Sequence, residues 1–154
     1  MTGPEALDAL RERLPGLGAH PPDPAASAEV TPGELRGELL YLRDNLHFDH
    51  LVFVTALDRP DQSRLEVVYR LFSYETKLSV VLRVLLPRDD ARVATVSDIY
   101  RTAEWHERET AEMFGIDFAG HPNPRKLLLP DDIEGHPLRK DFTHPNMIRL
   151  PEVE

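Results

Sequence analysis

The chain has 154 residues and a formal net charge of −9, from 18 Lys and Arg against 27 Asp and Glu, and it contains no cysteine. This length suits one domain with a hydrophobic core, and the acidic balance argues against nucleic acid as a partner, because binding phosphates requires surplus positive charge. The lack of cysteine excludes disulfides, thiolate metal sites, iron-sulfur ligation by the chain's own side chains and a cysteine nucleophile.

The apolar runs of the chain are short. Residues 80–86 form one of the longest, and Arg83 interrupts it. A membrane-spanning helix needs about 20 apolar residues, so we expect no direct membrane insertion. The first 14 residues are without an apolar signal core, which favours a cytoplasmic location.

The first 30 residues predict a helix followed by a connector. Thr2 and Glu5 have the spacing of a capping box, and leucines recur at helical intervals up to Leu14. Residues 20–24 are rich in proline and have no period, so we expect an extended and exposed connector there.

A second helix is predicted from residue 31. Thr31 suits the N-cap, Pro32 the first helical position and Glu34 the reciprocal acceptor of a capping box. One apolar stripe follows at helical spacing, and we expect it to pack on a sheet. The stripe consists of Leu35, Leu39, Leu42 and Leu46.

From His50 the apolar period changes to two, which predicts β-strands. Three runs have this alternation, at residues 51–54, 65–71 and 78–86. The connections 59–63 and 73–76 are too short for a crossover helix, so the strands should form an antiparallel meander. We therefore expect an α/β fold of the α+β type, an antiparallel sheet of three or more strands covered by helices.

A charged helix is predicted at residues 103–114, with Gly115 as its C-cap. Arg108 lies one turn after Glu104 and one turn before Glu112. Ion pairs at this spacing, on a solvated or partner-facing surface, explain the charges better than acid-base catalysis. We therefore expect Glu107→Ala to cost the isolated domain little stability.

Beyond Gly115 no helical or alternating period continues, apart from the short leucine run 127–129. We expect an extended, irregular C-terminal tail that lies on another protein or on the edge of its own sheet. His121, His136 and His144 each precede a proline, which favours an extended backbone at those points.

A metal site is the alternative interpretation of these histidines. Residues 106–110 resemble the start of a zinc-protease helix, but Thr110 stands where the second histidine belongs. A metal could still recruit His106 and Glu109 with His121, His136 or His144, so a metal-dependent hydrolase stays open. No serine nucleophile elbow, glycine-rich phosphate loop or dinucleotide fingerprint occurs, so we expect no catalytic residue, no metal ligand and no cofactor.

Two long motifs carry a family resemblance. They are residues 107–116 (ERETAEMFGI) continued by 120–128 (GHPNPRKLL), and residues 134–142 (EGHPLRKDF). In this order they resemble the signature of the thirty-kilodalton subunit family of respiratory complex I, called the C subunit in bacteria. A weaker resemblance extends back through the predicted strands to about Thr31.

The resemblance implies a non-catalytic peripheral-arm subunit of NADH:quinone oxidoreductase, a translocase of the respiratory electron-transport chain. Such a subunit binds no redox centre and packs against the D-type subunit, which lines the quinone site, and against other peripheral-arm subunits. It is membrane-associated only through the complex, on the cytoplasmic side of the cell membrane. Related energy-converting hydrogenases and ferredoxin-fed dehydrogenases use similar subunits, so they remain alternatives.

This resemblance suggests three segments: an N-terminal helix and connector at 1–30, an α/β core at 31–120 and a docking tail at 121–154. Residues 121–142 should form the main docking element, because their basic and acidic side chains alternate and can give register on a partner. The residues expected at the partner interface are Glu107, Arg108, Glu109, Glu112, His121, Arg125, Lys126, His136, Arg139, Lys140, Asp141 and Phe142.

Overall fold

The computed structural model of the chain describes residues 1–20, 23–148 and 151, and at residues 19, 20, 23 and 24 it describes the backbone alone. The helices are α1 (Gly3–Arg13), α2 (Leu35–Leu46) and α3 (Ala103–Phe114). The strands are β1 (Gly18–His20), β2 (Asp23–Glu29), β3 (His50–Arg59), β4 (Arg64–Phe72), β5 (Ser79–Pro87), β6 (Arg92–Ala94) and β7 (Asp117–Ala119). Within the described part of the chain, no helix is both long and apolar enough to cross a membrane.

A five-stranded sheet with the order β1-β2-β5-β4-β3 forms the centre of the fold. Strands β3, β4 and β5 pair antiparallel in sequence order, which confirms the predicted meander and the α+β class. The sheet is mixed, because β2 pairs parallel with β5. The short strands β6 and β7 form a separate parallel pair.

The N-terminal segment differs from the prediction of an exposed connector. Residues 23–29 form β2, which pairs with β5 from Ala26 opposite Val80 to Glu29 opposite Arg83. The strand was missed because its side chains are mostly alanine and serine, which give no alternation of large apolar residues. Pro21 and Pro22 lie outside the described residues.

The predicted start of the first helix is confirmed, and the predicted start of the second is three residues early. Thr2 and Glu5 form a complete capping box on α1. Helix α2 begins at Leu35. Before it, the Thr31 hydroxyl and the Thr31 N–H both donate to the Glu34 carboxylate, at 2.7 and 3.1 Å, and the Glu34 N–H donates to the Thr31 carbonyl at 3.1 Å. Residues 31–34 therefore form a turn that precedes the helix.

The hydrophobic core lies between the helices and one face of the sheet, called here the inner face. The predicted leucine stripe of α2 is buried against it, together with Leu10 and Leu14 of α1. The N-terminal helix and the segment 31–120 thus share one core. The inner face consists of the buried alternate positions of the meander, such as Leu65, Val67, Tyr69, Leu71, Val80, Leu82, Val84 and Leu86.

Truncating either side of this core should destabilise the chain. Leu39 on α2 and Val80 on β5 are both 0% exposed, so we expect Leu39→Ala and Val80→Ala to lower the free energy of unfolding by roughly 2–4 kcal/mol. Urea unfolding would measure this. The neighbouring Leu40 is 37% exposed, and Leu40→Ala should change stability by no more than about 0.5 kcal/mol. Equal effects at Leu39 and Leu40 would contradict the packing.

Candidate functional site

Helix α3 positions most of the candidate residues. It packs along β3, the edge strand of the sheet, and the Thr110 hydroxyl lies 3.2 Å from the Val54 carbonyl of that strand. Gly115 ends the helix with a left-handed φ of 73°, as predicted. The helix therefore shields part of a sheet edge that would otherwise offer free backbone groups.

Glu107 is fully buried on this helix, at 0% exposure. Its carboxylate accepts hydrogen bonds from the Thr95 hydroxyl and from the Val96 N–H, the latter at 2.7 Å. The prediction of a solvated or partner-facing surface side chain is therefore wrong for Glu107. Burial raises the pKa of this carboxyl, while the two hydrogen bonds and the nearby His121 act in the opposite direction.

His121 lies beside this carboxylate, with its side chain 3% exposed and its Nε2 3.7 Å from Glu107. The same Nε2 is 3.0 Å from the Glu104 carbonyl, which can only accept. Nδ1 accepts from the Asn123 N–H at 3.0 Å. Both ring nitrogens are thus occupied by backbone groups.

Glu112, 7% exposed, binds the leucine run of the tail. Its two carboxylate oxygens accept from the backbone N–H groups of Leu127, Leu128 and Leu129, at 3.0, 2.8 and 3.3 Å. Three successive N–H groups around one anion form a concave anion-binding turn. One helix side chain therefore shapes three residues of a segment that has no period of its own.

Arg108 makes the complementary contact to the same segment. Its guanidinium donates to the carbonyls of Arg125 and Lys126, each at 3.0 Å, and lies 5.3 Å from the centre of the Trp105 ring. The predicted ion-pair ladder with Glu104 and Glu112 is therefore wrong. The helical spacing places the charges on one face as expected, but that face meets tail backbone whose polar groups need partners.

A histidine packs against the C-terminal end of α3. His136 Nδ1 is 3.0 Å from the Glu112 carbonyl. A Cβ placed on Gly115 would come within 2.5 Å of the His136 ring, so this position requires glycine both for its positive φ and for this close approach.

Two more residues of the tail bind the last carbonyls of α3. Arg139 Nε donates to the Phe114 carbonyl at 2.6 Å, and the Leu138 N–H donates to the Met113 carbonyl at 3.0 Å. A cation at the C-terminal end also interacts favourably with the helix dipole. The tail thus contacts α3 at Arg108 and again at the C-terminal end of the helix, two turns later.

A buried ion pair that was not predicted from the sequence holds the next residues of the tail. Arg88 binds Asp58, which is 5% exposed, through contacts of 2.7 and 3.0 Å. The same aspartate accepts from the Lys140 N–H at 2.8 Å, and Arg88 also binds Asp141 at 2.7 Å. The Arg88 guanidinium lowers the pKa of Asp58. The sequence did contain a signal for this pair, because Asp58 occupies a core-facing position in the alternating pattern of β3.

The predicted interface residues therefore separate by exposure. Glu107, Glu112 and the side chain of His121 are buried; Arg108, His136, Arg139 and Phe142 are half-buried; Glu109, Arg125, Lys126, Lys140 and Asp141 are exposed. The prediction omitted large apolar side chains that are exposed in the same region. These are Trp105, Leu128, Leu138, Met147 and Ile148, at 57, 60, 54, 56 and 89% exposure.

The ligand set of the alternative hydrolase does not come together. Across residues 1–20, 23–148 and 151, no group of three or more His, Asp or Glu side chains is arranged to hold a metal ion. His121 and His136 instead bind backbone groups of α3.

Removing the charge of Glu107 should change the pH dependence of stability. The folded state raises the pKa of this carboxyl above its ordinary value of 4.5. The contribution of Glu107 to the free energy of unfolding is therefore fully present below pH 4.5 and is lost as pH rises through the folded pKa. The free energy of unfolding of wild type, relative to Glu107→Gln, should therefore fall over this window. Urea unfolding between about pH 4 and pH 8 tests this, and parallel profiles would contradict it.

Glu112→Gln should loosen the tail, because an amide places N–H donors against the backbone N–H groups of residues 127–129. We expect a loss of roughly 1–3 kcal/mol and faster hydrogen exchange at those three amides. Glu109→Gln, on an exposed position of the same helix, is the matched control. Unchanged exchange in Glu112→Gln would show that the carboxylate does not hold the segment.

Comparison with known proteins identifies the family. Residues 28–147 match the profile of the family described as respiratory-chain NADH dehydrogenase, 30 Kd subunit. The C subunit of NADH-quinone oxidoreductase from Cereibacter sphaeroides is 36% identical over 162 residues, covering 98% of this chain and 80% of that protein.

Other relatives differ in length and in the complex that their names state. The C subunit of F(420)H(2) dehydrogenase from Methanosarcina mazei is 45% identical over 103 residues, 66% of this chain, and the chain spans only 65% of that protein. The C/D subunit of NADH-quinone oxidoreductase from Nitrosospira multiformis is 48% identical over 102 residues, 65% of this chain and 16% of that protein.

A solved structure has the same fold. It belongs to a membrane-bound sulfane sulfur reductase, an archaeal respiratory membrane complex, and matches with a TM-score of 0.79 and 29% identity over 92% of this chain and 85% of the other. The resemblance found in the two C-terminal motifs is thereby confirmed, and the chain belongs to the family of the 30 kDa subunit of respiratory-chain NADH dehydrogenase.

Proposed function

We propose that the chain is a non-catalytic peripheral-arm subunit of an NADH:quinone oxidoreductase, and that it docks onto the D-type subunit at the quinone site. In that role it supports electron transfer from NADH to quinone, coupled to ion translocation, without carrying a redox centre. The main supporting observation is that the family motif of α3 holds residues 121–142 in a fixed path whose outward side is apolar and charged.

The exposed apolar residues support a docking role. Five of the ten large apolar side chains that are exposed in the described residues lie on α3 or in the segment after it. We call Trp105, Leu128, Leu138, Met147 and Ile148 the docking strip. Apolar surface gains about 25 cal/mol per Å² when it leaves water, and concentrated exposed apolar residues are typical of protein interfaces.

The fixed backbone of the tail supports the same role. A segment already held by Glu112, Arg108 and Asp58 loses little conformational entropy when it binds a partner, so more of the contact energy appears as affinity. Exposed charges such as those of Arg125 and Lys140 then align the tail on its partner and exclude wrong partners, and they add less to affinity.

The identity of the partner is supported by a relative. In the Nitrosospira protein, one chain is named as a C/D subunit, so a C-type and a D-type subunit are joined there. A D-type subunit is accordingly the proposed partner of this chain, with other peripheral-arm subunits around it. The chain would then lie on the cytoplasmic side of the cell membrane, attached through the complex.

A related complex with another electron donor is the second candidate. The relative from Methanosarcina mazei is named as a subunit of F(420)H(2) dehydrogenase, and hydrogenases or ferredoxin-fed dehydrogenases belong to the same group of alternatives. All of them keep the docking role. Purifying the intact complex through a tag on this chain, and assaying it with NADH and with reduced F420, would distinguish an NADH-oxidising complex from one of the F(420)H(2) type.

The docking proposal predicts that charges on the strip weaken assembly. Leu128 and Leu138 are 60% and 54% exposed, so aspartate there should leave the fold intact and place a carboxylate in the apolar contact. We expect the double variant to bind the co-expressed D-type subunit at least about tenfold more weakly, as the loss of an interface anchor does. Titration calorimetry or quantitative copurification measures it.

Leu40→Asp is the matched control, because Leu40 is an exposed leucine on a different helix, at 37% exposure. Equal binding by the double variant and wild type would overturn the assignment of the strip. Deleting residues 121–142 is a weaker test, because it would leave Glu112 and Asp58 buried without their backbone partners. Arg125→Glu with Lys140→Glu should weaken binding in the same direction, with a defect that shrinks as salt rises.

A further inference from the structure

The second face of the five-stranded sheet, called here the outer face, lies opposite the core. Side chains of all three helices belong to the cluster on the inner face. The outer face is formed by the alternate positions of β2, β3, β4 and β5, and register aligns Leu57 with Glu66, Thr55 with Val68, and Val68 with Arg83. Exposure there reaches 45% at Leu57.

Apolar residues occupy much of this face. Phe53, Val68, Val81 and Leu85 are half-buried on it, beside the exposed Leu57. An antiparallel sheet with one solvated face usually alternates apolar and polar side chains, whereas strands that are apolar on both faces are typical of sheets covered on both sides. Strand β5 has the second pattern, with Arg83 as its one charged residue. The outer face therefore has the composition of a covered surface.

A small cavity lies at the centre of the face. It has a volume of about 140 Å³ and is lined by apolar side chains including Phe53, Leu57, Val68 and Val81, with Glu66 and Arg83 at its polar side. A cavity near 150 Å³ with apolar walls accepts a benzene-sized group. This space thus suits one apolar side chain inserted from outside, as an interface anchor is.

The charges around the cavity are mainly positive. Glu66 is 3% exposed, and its carboxylate lies 2.8 Å from Arg59 Nε and 3.6 Å from Arg83. Arg83 also donates to the Ser27 hydroxyl at 3.0 Å. Two guanidiniums therefore neutralise one buried carboxylate and keep a positive excess at the surface.

The same sign holds for the face as a whole. Among the side chains that the structure describes, the arginines of this face are Arg59, Arg64, Arg70 and Arg83, and its acidic residues are Glu29 and Glu66. The complete chain carries a charge of −9, so a net positive face is a local reversal. Two copies joined through this face would place positive charge against positive charge, and an uncharged partner would leave the positive charge unpaired. An acidic surface on a different protein suits the face better.

We propose that the outer face is a second protein interface, which binds an acidic surface with an apolar anchor on another subunit of the same complex. This interface is separate from the docking strip, and it rests on the proposed function in that it requires the chain to be a subunit. The anchor fills the cavity between Phe53, Leu57 and Val81, and carboxylates of the partner face Arg59 and Arg64.

Single cysteines allow a direct test, because the chain has none of its own. Leu57→Cys reports on the outer face and Leu40→Cys on an exposed position of α2. Each variant is treated with a maleimide reagent, first as the isolated chain and then within the assembled complex, and labelling of this chain is followed by mass spectrometry. We expect both cysteines to react in the isolated chain and only Leu57→Cys to become protected, at least about tenfold, on assembly.

Full reactivity of Leu57→Cys in the assembled complex would overturn the second interface while leaving the docking proposal intact, because copurification is measured in the same sample. Protection in the isolated chain would also overturn it, by showing that this chain or a second copy covers the face. Sedimentation velocity identifies the second copy.

The charge of the partner is tested by reversing the charge of an arginine at the edge of the outer face. Arg64 is exposed at the start of β4, and Arg64→Glu should weaken assembly at low salt, with the defect shrinking as salt rises. Arg11→Glu, a charge reversal at an exposed position of α1, is the control. Assembly that Arg64→Glu leaves unchanged, or strengthens, would overturn an acidic partner. Binding of the isolated chain to anionic lipid vesicles through Arg64 would assign the face to a membrane surface and overturn the proposal.

Discussion

The need to satisfy the backbone of an aperiodic segment is the constraint on which the C-terminal third depends. Residues 120–148 form turns and, within that described range, no helix or strand, so their N–H and C=O groups lack a regular ladder. Glu112 accepts three of these N–H groups and Arg108 donates to two of the carbonyls. Side chains of the neighbouring helix α3 thus supply the hydrogen bonds that a paired strand would supply in a sheet.

The same constraint explains why α3 carries so many charged side chains. A helix with so many carboxylates suggests a reactive site or a solvated surface, yet two of them are buried and bind the backbone or hydroxyl of their own chain. Desolvating such groups is costly, and the cost is offset because each carboxylate accepts two or three hydrogen bonds. The motif that identifies the family therefore acts first on the chain's own shape.

The residues that the motif leaves exposed form the surface on which the proposed docking rests. The docking strip lies on α3 and on the segment that α3 holds, while the outer face lies on the opposite side of the sheet from the hydrophobic core. Both surfaces are apolar with charges at their margins, the composition typical of subunits whose surfaces are partly buried in an assembly. A small chain with one core and two such surfaces suits a structural role in a complex.

The sequence by itself determined the elements whose signal is local. The capping box of α1, the leucine stripe of α2, the three alternating strands and the glycine end of α3 follow from neighbouring residues, and the two C-terminal motifs determined the family. Only the tertiary structure decided what the charged residues bind, because Glu112 lies 15 to 17 residues from its partners and Asp58 lies 82 from Lys140. It likewise decided that residues 23–29 form a strand, since small side chains carry no periodic signal and the pairing depends on β5, more than 50 residues later. Periodicity records which side of an element faces the core, whereas the partner of a polar group depends on distant chain segments that fold against it.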